Sequence, residues 1–208
     1  MLTAAQSVLH TGLDNVGAIL HPIITLLNAY RIERGDCFDF YNEGVTPQVA
    51  SVLAMADAER LQIAVAYGVP ASSLTDWIAA AYGHHARSIL ESVSGNPAYR
   101  GIKAPNTIRH RYLLEDVPTG VIPMIELGQA AGLPLPTLRS LVRLAGIALG
   151  ENRWQDKRTL HVLGLANRSI KDIHTIIERG YIPSHDLHVR LRIRRNPRYH
   201  LAIRSMSA

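Results

Sequence analysis

The sequence predicts an all-α fold, a bundle of six to eight helices. Three observations predict it. Apolar residues recur every three to four positions through most of the chain. Gly, Pro and Ser/Thr caps divide those runs into helix-sized pieces. No convincing alternating, strand-like run occurs before the last 20 residues. Beyond residue 180 the only such stretch is Val189–Ile193, where apolar residues alternate with Arg, and it reads equally as a strand or as disorder.

From Asp14 to about Arg31, Val16, Ile19, Leu20, Ile23, Ile24 and Leu27 recur at helical spacing. Pro22 interrupts this run, removes one backbone donor and predicts a kink just after His21. An irregular segment from Gly35 to Gly44 follows. Thr46-Pro47 combines a capping hydroxyl with proline at the first helical position, opening a helix to Tyr67 that Gly68 stops. Ser73 with Asp76 forms a capping-box pattern for a helix ending near Gly83, and residues 84–93 either extend it or form another. Residues 95–105, rich in Gly, Pro and Asn, read as a loop. A helix after Pro118 reaches Ala131, with Gly120 and Pro123 weakening its first turn. Thr137 is expected to cap a helix over 138–149 that Gly150 ends. Ser169 with Asp172 opens a last helix burying Ile170, Ile173, Ile176 and Ile177 before Gly180.

Composition narrows the function classes. Hydrophobic residues make up 47% of the 208, as in an ordinary globular chain, and no apolar stretch is long enough for a membrane span. The N-terminus has no basic start leading into an apolar run, so a cytoplasmic protein is expected. Cys37, the single cysteine, has no partner for a disulfide or CxxC motif and reads as a buried or half-buried thiol. The net charge of +5 is unevenly placed. Residues 181–208 hold six Arg (190, 192, 194, 195, 198, 204) against Asp186, whereas residues 1–180 balance. A nucleic-acid role would rest on that tail alone, with two Tyr and no binding motif, and is not expected.

Two places carry groups suited to chemistry. His21-Pro22 sets an imidazole in an otherwise apolar helix: either a hydrogen-bonded core residue or one facing a ligand across the expected kink. Residues 109–118, Arg-His-Arg-Tyr-Leu-Leu-Glu-Asp-Val-Pro, pack cations and carboxylates just before a helix. Arg111 suits a two-pronged grip on a carboxylate, and Asp116 suits orienting an imidazole. A surface salt-bridge cluster is the competing reading of the same residues. His84-His85 lacks companions at metal-ligand spacing, so no metal site is expected. Neither GxGxxG nor a P-loop occurs, and there is no GxSxG.

Read together, the two places resemble a known family. Asn15-Val16-Gly17-Ala18-Ile19-Leu20-His21-Pro22 resembles the N-x-x-x-[IVL]-L-H-P signature of octopine and nopaline (opine) dehydrogenases. Residues 111–123, RYLLEDVPTGVIP, resemble their R-Y-[LI]-x-E-D-[VI]-P-x-G-[LV]-[VI]-P signature. Phe40-Tyr41-Asn42-Glu43-Gly44, Asp57-Ala58-Glu59-Arg60, Glu126-Leu127-Gly128, Arg158-Thr159-Leu160 and Leu163-Gly164-Leu165 match as well, so the likeness runs from about residue 8 to 180.

The resemblance implies the family's C-terminal helical domain, of the 6-phosphogluconate-dehydrogenase-like type, without the Rossmann domain that binds NAD(P)H. Residues 1–14 would then be the end of the crossover from that missing domain, 15–180 the helical domain and 181–208 a basic tail. The implied reaction condenses an amino acid with a 2-keto acid into an imine that the nicotinamide reduces. His21 would be the acid/base residue, Asp116 its partner, and Arg111 the ligand of a substrate carboxylate. Three readings follow: one subunit of a split enzyme completed by a separate Rossmann chain, an inactive fragment, or a domain repurposed for carboxylate binding or homodimerisation.

Overall fold

The computed structural model describes residues 5–150, 154 and 157–179. Among these there are ten α-helices and no strand; the only β-type pairing is an isolated bridge between Asp39 and Lys103. The basic tail, its strand-like segment and the Gly180 stop lie outside the described residues.

A first helix, α1 (Val8–Leu13), precedes the periodic run from Asp14 to about Arg31, which divides into two helices, α2 (Gly17–Leu27) and α3 (Ala29–Glu33). Ser7 caps α1 through its hydroxyl, and Leu9 and Leu13 bury into the main core. Pro22 does not end α2, which continues to Leu27. The break comes at Asn28, whose buried amide donates to Ile24 O at 2.9 Å and to Gly44 O at 2.8 Å. Those bonds tie the helix end to the segment carrying residues 40–44.

α2 is the axis of the fold. Ala18, Ile19, Leu20 and Pro22 through Thr25 are all buried, as expected of a helix that is apolar all round. It packs against α4 (Pro47–Ala66), α7 (Arg111–Leu114), the π-helical turn Val117–Val121 and α9 (Pro136–Leu149). Thr46 caps α4 as the sequence predicts, accepting from Val49 N at 3.3 Å. Ser73 opens α5 (Leu74–Tyr82) and Gly83 closes it in the left-handed conformation. Residues 84–88 do not extend that helix; α6 (Ile89–Ser94) starts afresh on the Ser88 cap.

The Asp57-Ala58-Glu59-Arg60 motif is structural. Arg60 is fully buried and pairs with Asp57 at 2.6 Å. It also donates to Leu13 O and Ser72 O, joining the end of α1 to the loop before α5. Asp57 accepts from Leu74 N as well, so each charge meets several partners. Glu59 reaches the start of α9, accepting from Thr137 N at 2.7 Å and Leu138 N at 2.9 Å. This overturns the expected Thr137 cap. The helix already begins at Pro136, after Leu135 in the left-handed region, and a carboxylate from another helix satisfies its free amides.

The expected helix after Pro118 opens as the π-helical turn, in which Ile122 N–H reaches back five residues to Val117 O, before α8 (Ile122–Ala130). Ser169 and Asp172 cap α10 (Ile170–Arg179) reciprocally, as expected. Of its four isoleucines only Ile173 is fully buried; Ile176 and Ile177 line an apolar cavity of about 410 Å³. That cavity runs between α1, α8, α10 and residues 158–165. Cys37 is exposed, against expectation, because the turn after Gly35 buries the next residue, Phe38, instead.

Candidate functional site

His21 is the one polar residue on α2 that reaches an opening, with 25% of its side chain exposed. Asp116 comes to it from 95 residues away. It stands immediately before the π-helical turn and makes no cap bond there, so its carboxylate is free to cross to α2. Its Oδ2 lies 2.8 Å from His21 Nδ1, with 16% of the Asp116 side chain exposed. A carboxylate only accepts, so Nδ1 carries the proton.

Glycines allow this approach. A Cβ on Gly120 would lie 2.6 Å from the Ala18 Cβ, so the turn after Asp116 can rest on α2 only because Gly120 has no side chain. On α2 itself, a Cβ on Gly17 would lie 3.2 Å from His21 Cε1 and 3.3 Å from Asn15 Oδ1. Asn15 therefore flanks the same stretch of helix as the imidazole.

Aromatic rings hold the imidazole from other sides. Tyr112, on α7, stacks on His21 with centroids 4.4 Å apart, and Phe40 stacks on Tyr112 at 4.8 Å. Tyr41 places its hydroxyl 3.0 Å from His21 Nε2 and stacks on Tyr99 at 4.2 Å. Burial, reinforced by the neighbouring phenols, pushes the pKa of Tyr41 far above the ordinary tyrosine range; Tyr99 shifts the same way for the same leading cause. Both stay protonated at any physiological pH. His110 packs edge-on against Tyr112, and its pKa is lowered by desolvation and then by the nearby Arg111 and His21 charges.

Arg111 is not gathered into this cluster of contacts. Its side chain is 65% exposed and lies 3.4 Å from Glu115 one turn along α7. The structure thus joins His21 with Asp116 and leaves Arg111 at the outer edge. Tyr41, Tyr112 and His110 received no role from the sequence, although each stands inside or beside a motif quoted above. A tyrosine within a motif was the available signal; its partner, distant in sequence, was not. Among the described residues no three His, Cys, Asp or Glu side chains are grouped to hold a metal, and no helix is long and apolar enough to cross a membrane.

Comparison with known proteins agrees with this architecture. Residues 4–149 match the family model described as NAD/NADP octopine/nopaline dehydrogenase, alpha-helical domain. An opine dehydrogenase of Arthrobacter sp. (strain 1C) is 42% identical over 175 residues, covering 84% of this chain and 49% of that protein. The protein ocs of Agrobacterium vitis is 31% identical over 162 residues, covering 77% of this chain and 45% of its own length. A solved octopine dehydrogenase with NADH and L-arginine superposes with a TM-score of 0.63 at 19% identity, over 82% of this chain and 49% of that one. A solved octopine dehydrogenase in complex with NADH and agmatine gives 0.64 at 20% identity, with the same coverage. The chain spans about half the length of the relatives it matches. It belongs to the NAD/NADP octopine/nopaline dehydrogenase family and carries that family's alpha-helical domain.

Proposed function

We propose that this chain is the substrate-binding, proton-transferring half of an opine dehydrogenase, an oxidoreductase that joins an amino acid to a 2-keto acid. The observation that carries the reading is the His21–Asp116 pair at 2.8 Å, built from two segments 95 residues apart and partly open to solvent. His21 gives or takes the proton at the nitrogen or oxygen on the reacting carbon. Asp116 holds the ring in the Nδ1–H form and stabilises its charged state.

Arg111 binds a substrate carboxylate. Its pairing with Glu115 is an exposed one, worth about 0–1 kcal/mol, so exchanging Glu115 for a substrate costs little. An octopine dehydrogenase of the same fold has been solved with L-arginine and with pyruvate, both carboxylates. A nicotinamide cofactor supplies the hydride. The sequence contains no GxGxxG, and among the described residues there is no strand–turn–helix to cradle a dinucleotide, so its nucleotide-binding site would lie on another domain or chain. Val8, 68% exposed on α1, and the apolar cavity beside it supply a surface for such a domain.

The test is NAD(P)H oxidation with pyruvate and a panel of amino acids, using the chain alone and then with a nucleotide-binding half from a relative. Turnover is expected only in the combination, falling about 10²–10⁴-fold with His21→Ala or Asp116→Asn. Turnover that survives His21→Ala at the parent rate would remove the assignment. No turnover in any combination, from a folded chain, would favour a binding domain without catalysis.

A further inference from the structure

Both ring nitrogens of His21 are engaged: Nδ1 by Asp116 at 2.8 Å and Nε2 by the Tyr41 hydroxyl at 3.0 Å. This raises a chemical question, because an acid/base histidine needs a nitrogen for its substrate. Since Asp116 fixes the proton on Nδ1, the neutral ring presents a lone pair at Nε2, and Tyr41 donates to it. The geometry points to Tyr41 as the third member of an Asp116–His21–Tyr41 triad, a positioning residue that occupies Nε2 until a substrate group takes its place. The inference rests on the assignment of His21 as the acid/base residue.

Three features suit Tyr41 to this role. It is buried, and stacking on Tyr99 fixes its ring, so its hydroxyl is held at the imidazole rather than sampling solvent. Its raised pKa keeps it a phenol, so it never forms a fixed phenolate–imidazolium pair that would trap the proton on His21. The phenol of Tyr112, which stacks on His21, adds to the upward shift of the Tyr41 pKa. A hydroxyl can reverse its role. Toward the neutral ring it donates to Nε2. Toward the protonated ring it turns its hydrogen away and accepts from Nε2–H, with no net proton gained or lost by Tyr41. A substrate nitrogen or oxygen arriving at Nε2 displaces the Tyr41 hydrogen bond. Without substrate, Nε2 is satisfied and shielded from adventitious proton exchange.

The test needs no turnover, so its failure is distinct from failure of the catalytic assignment. The full chain is treated with diethyl pyrocarbonate, which reacts with an unprotonated imidazole nitrogen, and modification of His21 is followed by peptide mass mapping. Tyr41→Phe is expected to accelerate modification at His21 roughly two- to twelvefold, the equivalent of one net hydrogen bond of about 0.5–1.5 kcal/mol. Histidine-labelled ¹⁵N spectra should show the Nε2 resonance of His21 moving while the Nδ1 proton remains. Tyr99→Phe is the control, since it touches the same stack without bonding to His21, and should leave both readouts unchanged. Equal rates in Tyr41→Phe and the parent, with an unmoved Nε2 resonance, overturn the proposal. So does equal acceleration in Tyr99→Phe, which would assign the effect to loosened packing.

Discussion

Gly120→Ala tests the contact on which the site depends. The added Cβ would stand 2.6 Å from the Ala18 Cβ, whereas comfortable carbon–carbon contact is about 3.5–4.0 Å, so the π-helical turn and α2 must part by roughly 1 Å. Neither side yields easily: Ala18 is fully buried on the central helix, and Val117 and Val121 are buried on the turn. Overpacking of this kind costs about 1–3 kcal/mol. For a chain of this length that lowers Tm by roughly 2–12 °C. The same separation should lengthen the His21–Asp116 bond, since both residues lie on the segments forced apart. The assay is thermal unfolding followed by circular dichroism, run as a double-mutant cycle with Ala18→Gly. Removing the opposing methyl should restore part of the lost stability even though glycine costs a helix interior about 1 kcal/mol, giving a coupling of at least about 1 kcal/mol. A Gly120→Ala chain within about 0.5 kcal/mol of the parent, with additive effects in the cycle, would refute the close-approach argument.

Two further outcomes are expected. Glu59→Gln should destabilise the chain by about 1–3 kcal/mol in urea unfolding, because one amide oxygen cannot replace two carboxylate oxygens on Thr137 N and Leu138 N; an unchanged midpoint would mean that α9 needs no cap from α4. The pH dependence of stability should carry a His110 contribution. Its pKa is lowered in the folded chain by desolvation and by Arg111 and His21, so the unfolded chain binds the proton more readily and stability rises with pH through the range just below about 6.5. That contribution is present above the unfolded pKa and lost as pH falls through the folded one. His110→Gln should flatten the slope, and a slope identical to the parent would remove His110 as its source.

Much of this protein is legible in its sequence because much of it is local. Caps at Ser73 and Ser169, the Thr46-Pro47 start and the Gly150 stop follow from backbone groups that neighbouring residues satisfy, and the structure uses each of them. Helical periodicity and the absence of alternating runs were enough for the all-α class. The motif around His21 and the motif around Asp116 were enough to connect the chain to its family. What the sequence misplaced depends on partners distant along the chain. The break at Asn28 arises from a bond to Gly44, and α9 takes its cap from Glu59, 78 residues away. The exposure of Cys37 follows from which side of a turn Phe38 chooses to bury.

The candidate site divides along the same line. Residue types alone determined that an imidazole, a carboxylate and a guanidinium were available, because each chemistry needs a particular side chain. The family resemblance already implied Asp116 as the partner of His21; only the tertiary structure decided that the two meet at 2.8 Å while Arg111 stays at the edge with Glu115, and that Tyr41 meets the second imidazole nitrogen. The physical reason is that hydrogen-bond geometry acts over about 3 Å, and no pattern along a chain specifies which distant atoms packing will bring that close.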